Sequence, residues 1–451
     1  MVHVRKRPNL RQKLEILAES AQYDVCLSSC NTGATGERGR VRDPNAYLSK
    51  WIYPAAVPGK GTVYILKVLQ TNVCKNNCSY CGFAANRDRH ERMTLSPEEL
   101  AAGFMMLHRS KKVGGLFLSS GVCGSPDSSM DSMIRTSEIL RERYKFKDYL
   151  HLKILPGASF AVVEAAVRLA NRVSINIEAP TREQLGKIAP GKSFAEDLVT
   201  RMKWAGEMIR NGAKAKTQTT QFVVGAAGES DLDIMRTTDW LYREIYLFRT
   251  YFSAYQSLET PDLAEVPKKS VLLREHRLYQ TDFLLRGYGF RLPDLIFDHN
   301  GDLPDHVDPK MAYAMMHPEL FPIDINGADE EELLKVPGIG PISARRICES
   351  RVAQPFHHVE ELRGLGVIAK RAQPYLTFSG TFRGQLGLFD REPPKTWRSG
   401  VEPMVVNDDM PFVPNNPGVP DPETNRYTYP GQTGRRLNYS LGKKESEVLC
   451  R

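Results

Sequence analysis

The order of residues predicts an α/β fold, a partial (β/α)6 TIM-type barrel followed by a small all-α domain, and three observations predict it. Apolar, β-branched runs recur along the first 300 residues with helical patterns between them. Helix-start signals stand in the intervals between these runs. From Ile323 to about Phe378 the pattern changes to short helices broken by Gly and Pro.

The runs are TVYILKVL from Thr62, LFL from Leu116, HLKIL from His151, RVSINI from Arg172, TQFVV from Thr220 and IYLFRTYF from Ile245. Six strands alternating with helices suit an open barrel better than a closed eight-stranded one. After the first strand, Ser96 reads as an N-cap, Pro97 sits in the first turn and Glu99 completes a capping box ahead of Leu100, Phe104 and Leu107. A second helix starts at Ser230, with Ile234 and Leu241 at helical spacing. The expected organisation is a helical or irregular extension over 1–50, the barrel over 51–300, a linker over 301–322, the helical domain over 323–380, a short peptide over 381–390 and a Pro-rich irregular tail over 391–451.

Composition narrows the class. Of 451 residues, 41% are hydrophobic and 25% charged, which suits a folded enzyme and excludes a wholly disordered chain. Mean hydropathy is -0.38, and no apolar run approaches the ~20 residues of a membrane helix, so a cytoplasmic protein without a membrane partner is expected. The 61 Lys and Arg against 53 Asp and Glu give a net charge of +8, which permits an anionic partner without demanding one. Eight cysteines are too sparse for a disulfide scaffold in a chain this long, so their spacing carries the information.

Cys74, Cys78 and Cys81 stand in VCKNNCSYCGF, directly after the first strand, where barrel loops carry chemistry. A structural zinc or an electron-transfer cluster takes four protein ligands, whereas three thiolates leave one metal position open. A zinc site completed by a distant Cys or His, and three unrelated thiols, are the competing readings of the same residues. The CxxxCxxC spacing, with Tyr80 before the last cysteine and Gly82-Phe83 after it, resembles the radical S-adenosylmethionine (SAM) superfamily. The resemblance implies a 4Fe-4S cluster on the three cysteines and SAM on the open iron, where reductive cleavage releases a 5'-deoxyadenosyl radical that abstracts hydrogen from the substrate. It implies an electron donor such as flavodoxin or ferredoxin.

By the same resemblance Ser119, Ser120 and Gly121, after the second strand, take the place of the Gly-rich segment that receives the methionyl ammonium, although they depart from the commoner GGE. Tyr80 is placed as the aromatic near the adenine, Phe83 among the cofactor-binding residues, Glu178 in NIEAPT as a polar contact to SAM, and Gly225 to Glu229 as further adenine support. Each also fits ordinary strand-end structure. Cys123, two residues beyond Gly121, reads either as a hydrogen-atom donor to a product radical or as a small buried thiol. Cys26 and Cys30 form a second CxxxC that cannot close a cluster alone.

INGADEEELLKVPGIGPISARRICESR, from Ile325 to Arg351, resembles the helix-hairpin-helix of DNA repair and uptake proteins. Gly338 and Gly340 around Ile339 let the backbone approach a phosphate, and Arg345 and Arg346 add charge beside the free N–H groups of the second helix. LRGLGVIAKRAQPYL supplies a weaker second unit with Gly364, Gly366, Lys370 and Arg371, so a tandem hairpin is expected, binding the DNA backbone without reading sequence. Asp329 to Glu332 offset the arginines, and a purely structural hairpin is the alternative. Gln385, Leu386, Leu388 and Phe389 in RGQLGLFD resemble the peptide by which bacterial replication and repair proteins dock on the sliding clamp; capping of the helical domain is the plainer reading of Leu388 and Phe389. Barrel and hairpins in this order resemble radical SAM proteins described as acting in DNA modification or repair. Modification of RNA, and a clamp-associated DNA-binding adaptor with a structural metal site, are the alternative functions.

Overall fold

The computed structural model describes residues 8–21, 52–57, 61–87, 91–256 and 269–382. Cys26, Cys30, the peptide at 385–389 and the tail lie outside the described residues. The described residues fall into two compact units, one of residues up to Glu229 with Trp240–Leu272, the other of Ser230–Asp239 with residues 273–382.

The first unit is built on a seven-stranded sheet in the sequential order β1 to β7. β1 (Ile52–Val57) pairs antiparallel with β2 (Gly61–Leu69). From β2 the pairing is parallel through β3 (Gly115–Ser119), β4 (Tyr149–Lys153), β5 (Arg172–Ser174), β6 (Thr217–Val224) and β7 (Arg249–Ala254). These six are the six runs the sequence predicts, in a curled half-barrel. The last starts at Arg249 rather than Ile245, because the helix before it continues to Glu244. β1 is the strand that sequence reasoning passes over, since Pro54 interrupts its apolar run; a proline is tolerated there because the strand lies at the sheet edge.

The crossovers are helical, as parallel pairing requires. After α1 (Leu10–Ser20) come α2 (Pro97–Arg109), α3 (Pro126–Glu138), α4 (Phe160–Leu169), α5 (Arg182–Ile188) and α6 (Thr200–Arg210). α2 starts as predicted: the Ser96 side chain accepts from the Glu99 amide, and Glu99 accepts from the Ser96 amide at 2.9 Å. Leu100 and Phe104 of α2 are fully buried. α1 crosses α2 at Gly103, where a Cβ would stand 2.5 Å from a Leu14 methyl, and Lys13 pairs with Glu99 at 2.7 Å.

Strand alternation gives the sheet two unlike faces. Leu66, Leu116, Leu150, Val173, Phe222 and Phe252 are register-related, fully buried and face away from the lumen. Each such side chain contributes about 1.5–3 kcal/mol of burial. The opposite face leads to the loops that carry the cysteines.

The second unit contains the chain from Ser230 into α7 (Asp231–Glu244), most of α8 (Lys269–Gly287), α9 (Pro309–Met316), α10 (Glu330–Lys335), α11 (Pro341–Ser350) and α12 (Ala369–Ala372). Ser230 caps α7 as expected, its hydroxyl accepting from the Asp233 amide at 3.1 Å. α9 lies within the stretch expected as a linker. The helical region is framed by a small sheet absent from the all-α expectation: β8 (Ile323–Asp324), β9 (Leu376–Phe378) and β10 (Thr381–Phe382), in the order β10-β9-β8. These strands are two or three residues long, too short to leave a period in the sequence. Among the described residues no helix is long and apolar enough to cross a membrane.

Candidate cluster and cofactor site

The loop after β2 is held open by side chains rather than by regular structure. The Arg92 guanidinium donates to four carbonyls, those of Asn72 and Arg87 at 2.7 Å and of Phe83 and Ala84 at 2.9 Å. Asn72 is fully buried, accepting from the Met93 amide at 2.7 Å and donating to the Glu91 carbonyl and to the Ser20 hydroxyl of α1. Inside the loop the Cys81 amide donates to the Cys78 carbonyl at 3.1 Å, and the Ser79 amide donates to the Ile188 carbonyl at 2.8 Å, which ties the loop to the end of α5. Arg92 and Asn72 leave no sequence signal, because their partners are main-chain carbonyls or remote atoms.

Cys74, Cys78 and Cys81 are free thiols that line one cavity of about 110 Å³, and Tyr80, Phe83 and Glu178 line it with them. The segment Ser119 to Gly121 forms another wall. Gly121 fixes how closely that wall approaches: a Cβ there would stand 2.4 Å from the Val73 carbonyl oxygen and 3.2 Å from the Cys74 Cβ. Its amide donates to the Thr71 carbonyl at 2.7 Å, and the Lys75 amide returns a bond to the Val122 carbonyl at 2.8 Å. The Ser119 carbonyl accepts from Gln70 and the Gly121 carbonyl from the Ser120 hydroxyl, so of residues 119–122 the Ser120 carbonyl is the one without a hydrogen bond among the described residues.

Glu178 has φ +66, the left-handed region in which a side-chain-bearing residue is strained. Its amide donates to the Gln221 carbonyl and its carbonyl accepts from the Val223 amide, so the strand on one side enforces the turn. Sequence reasoning did not identify Lys192, which lies in the loop after α5. The Lys192 ammonium reaches the Glu178 carboxylate at 3.2 Å and the Tyr80 hydroxyl at 2.8 Å, and stands 5.5 Å from the Tyr80 ring centre. Both members of the ion pair are buried, with side-chain exposures of 8% and 6%. Burial alone would pull the Lys192 pKa down; the charges of Glu178 and Cys78 outweigh it and hold the ammonium charged. Burial, then the Glu178 charge, pushes the Tyr80 hydroxyl up. Burial likewise raises the Cys78 thiol, against the pull of Lys192. A metal would reverse that by stabilising the thiolate.

Two expected residues stand elsewhere. Cys123 is exposed, so it is not a small buried thiol, and it does not line the cavity, although its neighbour Val122 does. The turn into α3, with Gly124 at φ +75 and the Ser128 and Ser129 hydroxyls on the Cys123 carbonyl, carries it outward. Glu229 does not line the cavity; it folds back to accept from the Gly225 and Ala227 amides and braces the loop after β6. Among the described residues no three His, Cys, Asp or Glu side chains converge as ligands of a single metal ion. The donor set suits a larger group: three soft thiols around a cavity with an aromatic ring, a cation, a carboxylate and a bare carbonyl.

In the second unit the Gly338-Ile339-Gly340 turn joins α10 to α11. Gly338 has φ +89, a Cβ on it would stand 2.8 Å from the Ile368 carbonyl, and its own carbonyl accepts from the Ile368 amide at 3.0 Å. Ile339 is buried and its carbonyl accepts from the buried Lys310 ammonium of α9. Arg345 and Arg346 are exposed on α11. The second hairpin is a 3-10 turn over Val359–Leu365, Gly366 at φ +89 and the four-residue α12. Its Arg371 is paired with Asp308.

Residues 68–241 match the family model described as the Radical SAM superfamily, and residues 321–371 the model described as a helix-hairpin-helix motif. No curated protein matches the sequence. Solved structures similar to the chain include the FeFe-hydrogenase maturase HydG from Carboxydothermus hydrogenoformans, at 18% identity over 43% of this chain and 44% of that one, with a TM-score of 0.36. SuiB from Streptococcus suis, solved with S-adenosylmethionine, is 16% identical over 53% of this chain and 50% of its own, with a TM-score of 0.39. A radical SAM methyltransferase from Sphaerobacter thermophilus is 14% identical over 51% and 66%, with a TM-score of 0.36. The chain thus spans about half the length of the maturase and of SuiB. The stretch 68–241, which holds the three thiols, Glu178 and Lys192, matches the Radical SAM superfamily, whose enzymes use a 4Fe-4S cluster and S-adenosylmethionine.

Proposed function

We propose that this chain is a radical SAM enzyme that modifies or repairs DNA, with the hairpin region on the sugar-phosphate backbone and the half-barrel receiving a nucleotide taken out of the base stack. The observation that carries the reading is the convergence of three thiols, Tyr80, Glu178 and Lys192 on one cavity, in a chain that also holds a helix-hairpin-helix motif.

Cys74, Cys78 and Cys81 would hold the cluster, and Arg92 keeps their loop in the conformation that presents all three to the cavity. The Ser120 carbonyl would accept from the methionyl ammonium, and Tyr80 would lie against the adenine. Lys192 fixes both the Tyr80 hydroxyl and the Glu178 carboxylate, so the two polar groups enter the cavity already oriented. Leu69, Phe83 and Ile154 keep water from the same space. When bound, the cluster and SAM supply a 5'-deoxyadenosyl radical that removes a hydrogen atom from the substrate.

Anaerobic incubation of the reconstituted protein with SAM, a reductant and DNA deuterated at defined sugar and base carbons tests the reading. Deuterium in 5'-deoxyadenosine is the expected result. Transfer from tRNA but not from DNA would move the substrate to RNA, and cleavage of SAM without transfer from either would overturn the nucleic-acid assignment. The electron enters from a flavodoxin- or ferredoxin-type donor. The segment containing Gln385, Leu386, Leu388 and Phe389 docks the enzyme on the sliding clamp, so Gln385→Ala with Phe389→Ala should abolish co-elution with the clamp while leaving SAM cleavage unchanged.

A further inference from the structure

The inner face of the sheet carries positive charge that begins at the cofactor cavity and continues along the strands away from it. Register places Lys67, Phe117, His151, Arg172 and Thr217 in one row across β2 to β6. The next row toward the cysteine loop runs Leu69, Ser119, Lys153, Ser174, Thr219 and Arg249. Leu69, Ser119 and Lys153 of that upper row line the cluster cavity, so both rows look into the space that the cavity opens on, about 7 Å apart along the strands. The two rows contain two lysines, two arginines and a histidine, and no carboxylate.

Arg172 shows why this matters. It is only 5% exposed, and its partners among the described residues are the Thr217 hydroxyl at 2.9 Å and the rings of Tyr149 and Phe248, whose centres lie 5.9 and 5.1 Å away. None is an anion. Taking a guanidinium out of water without a counter-charge is costly, and aromatic rings orient a cation without neutralising it. The Lys67 ammonium stands over the Phe117 ring at 4.8 Å, and the Arg249 guanidinium over Tyr251 at 4.9 Å. Phe117 and His151 are stacked, centres 4.0 Å apart and rings 4° from parallel. The face combines braced cations with flat aromatic surface, the chemistry that binds phosphate and a planar ring.

We infer that the inner face of the half-barrel is a substrate seat for a phosphate-bearing nucleotide unit, with Lys153 at the cavity and Arg172 beneath it supplying the anion's contacts. The inference rests on the reading that the half-barrel is the substrate chamber, and it names what enters it.

Thymidine and thymidine 5'-monophosphate are suitable probes, since neither carries the adenine of SAM. Each is equilibrated by dialysis, at fixed ionic strength, with the full-length protein reconstituted with cluster and SAM. The monophosphate is expected to bind at least tenfold more tightly than the nucleoside, and Lys153→Met and Arg172→Gln each to reduce that preference to threefold or less. Equal affinities in the unaltered protein overturn the inference without any variant, as does a full preference retained in Lys153→Met. Should Arg172→Gln fail to fold by circular dichroism, the probe pair and Lys153→Met still decide. Failure of deuterium transfer from DNA, with the monophosphate preference intact, would remove the DNA reading and leave the seat standing; the opposite outcome would do the reverse.

Discussion

The cysteine loop and the glycine hairpin are both places where main chain is packed closely against main chain, and they achieve it in opposite ways. The hairpin is local: Gly338 at φ +89 turns the chain, Pro341 starts the next helix, and the exposed arginines follow within one and a half turns. The cysteine loop is held from a distance, by Arg92 on four carbonyls, Asn72 on α1, Gly121 across the sheet and Lys192 from beyond α5. A site assembled from remote contacts should fail wholesale when one contact is lost, whereas a local turn should lose a fixed increment. The following variants test that difference, from the largest expected effect downward.

Gly121→Val should abolish the cluster. Its Cβ would stand 2.4 Å from the Val73 carbonyl, a backbone atom that cannot move without dragging Cys74 with it. The expected outcome is a folded protein by circular dichroism that gains no iron-sulfur absorbance on anaerobic reconstitution. Gly186, where a Cβ meets nothing within 4 Å, is the control: Gly186→Ala in α5 should load normally and stabilise the chain by about 0.5–1 kcal/mol. Normal loading of Gly121→Val would show that the two loops need not touch.

Lys192→Met comes next. It leaves the buried Glu178 carboxylate without its cation and should cost about 3–5 kcal/mol in urea unfolding. The double variant with Glu178→Gln removes the stranded charge and should recover a large part of that loss, because a buried pair costs most when broken on one side. Equal losses in the single and double variants would mean that the pair does not hold the site together.

Glu178 and Lys192 mark the limit of what the sequence made legible: the first is expected at the site, and the second is not. The six parallel strands announced themselves through apolar runs, the α2 capping box through Ser96 and Glu99, and the thiol loop through its spacing, since each is encoded by neighbours in the chain. Lys192 is separated from Tyr80 by 112 positions, and only the parallel crossovers bring the two together, so nothing near either residue signals the contact. Arg92 is hidden for another reason: its partners are carbonyl oxygens, which every residue carries. Cys123 departs from the buried-thiol reading because it is exposed, a matter of local packing that its spacing from Gly121 does not encode. The short strands β8 to β10 fall below the length at which alternation can be read.

Gly338→Ala tests the local site. The left-handed backbone and the Ile368 carbonyl 2.8 Å from the new methyl should together cost about 1–3 kcal/mol, with the cluster loading unchanged. Loss of iron from this variant would show that the cysteine loop depends on the hairpin.

The smallest stability effect, and the sharpest test of what the hairpin is for, belongs to Arg345→Ala with Arg346→Ala. Both side chains are exposed, and among the described residues their one hydrogen bond, Arg346 to the Leu365 carbonyl, is long at 3.5 Å, so stability should change by about 0.5 kcal/mol or less. Affinity for duplex DNA should nevertheless fall, and the slope of log affinity against log salt should drop by about two, one counterion for each phosphate contact removed. Arg371 supplies the contrast within the same domain: it is tied to Asp308, so Arg371→Ala should destabilise the fold and leave the salt slope nearly unchanged. If instead the double variant melts early and binds DNA with the original slope, the arginines are packing groups and the hairpin does not hold phosphate.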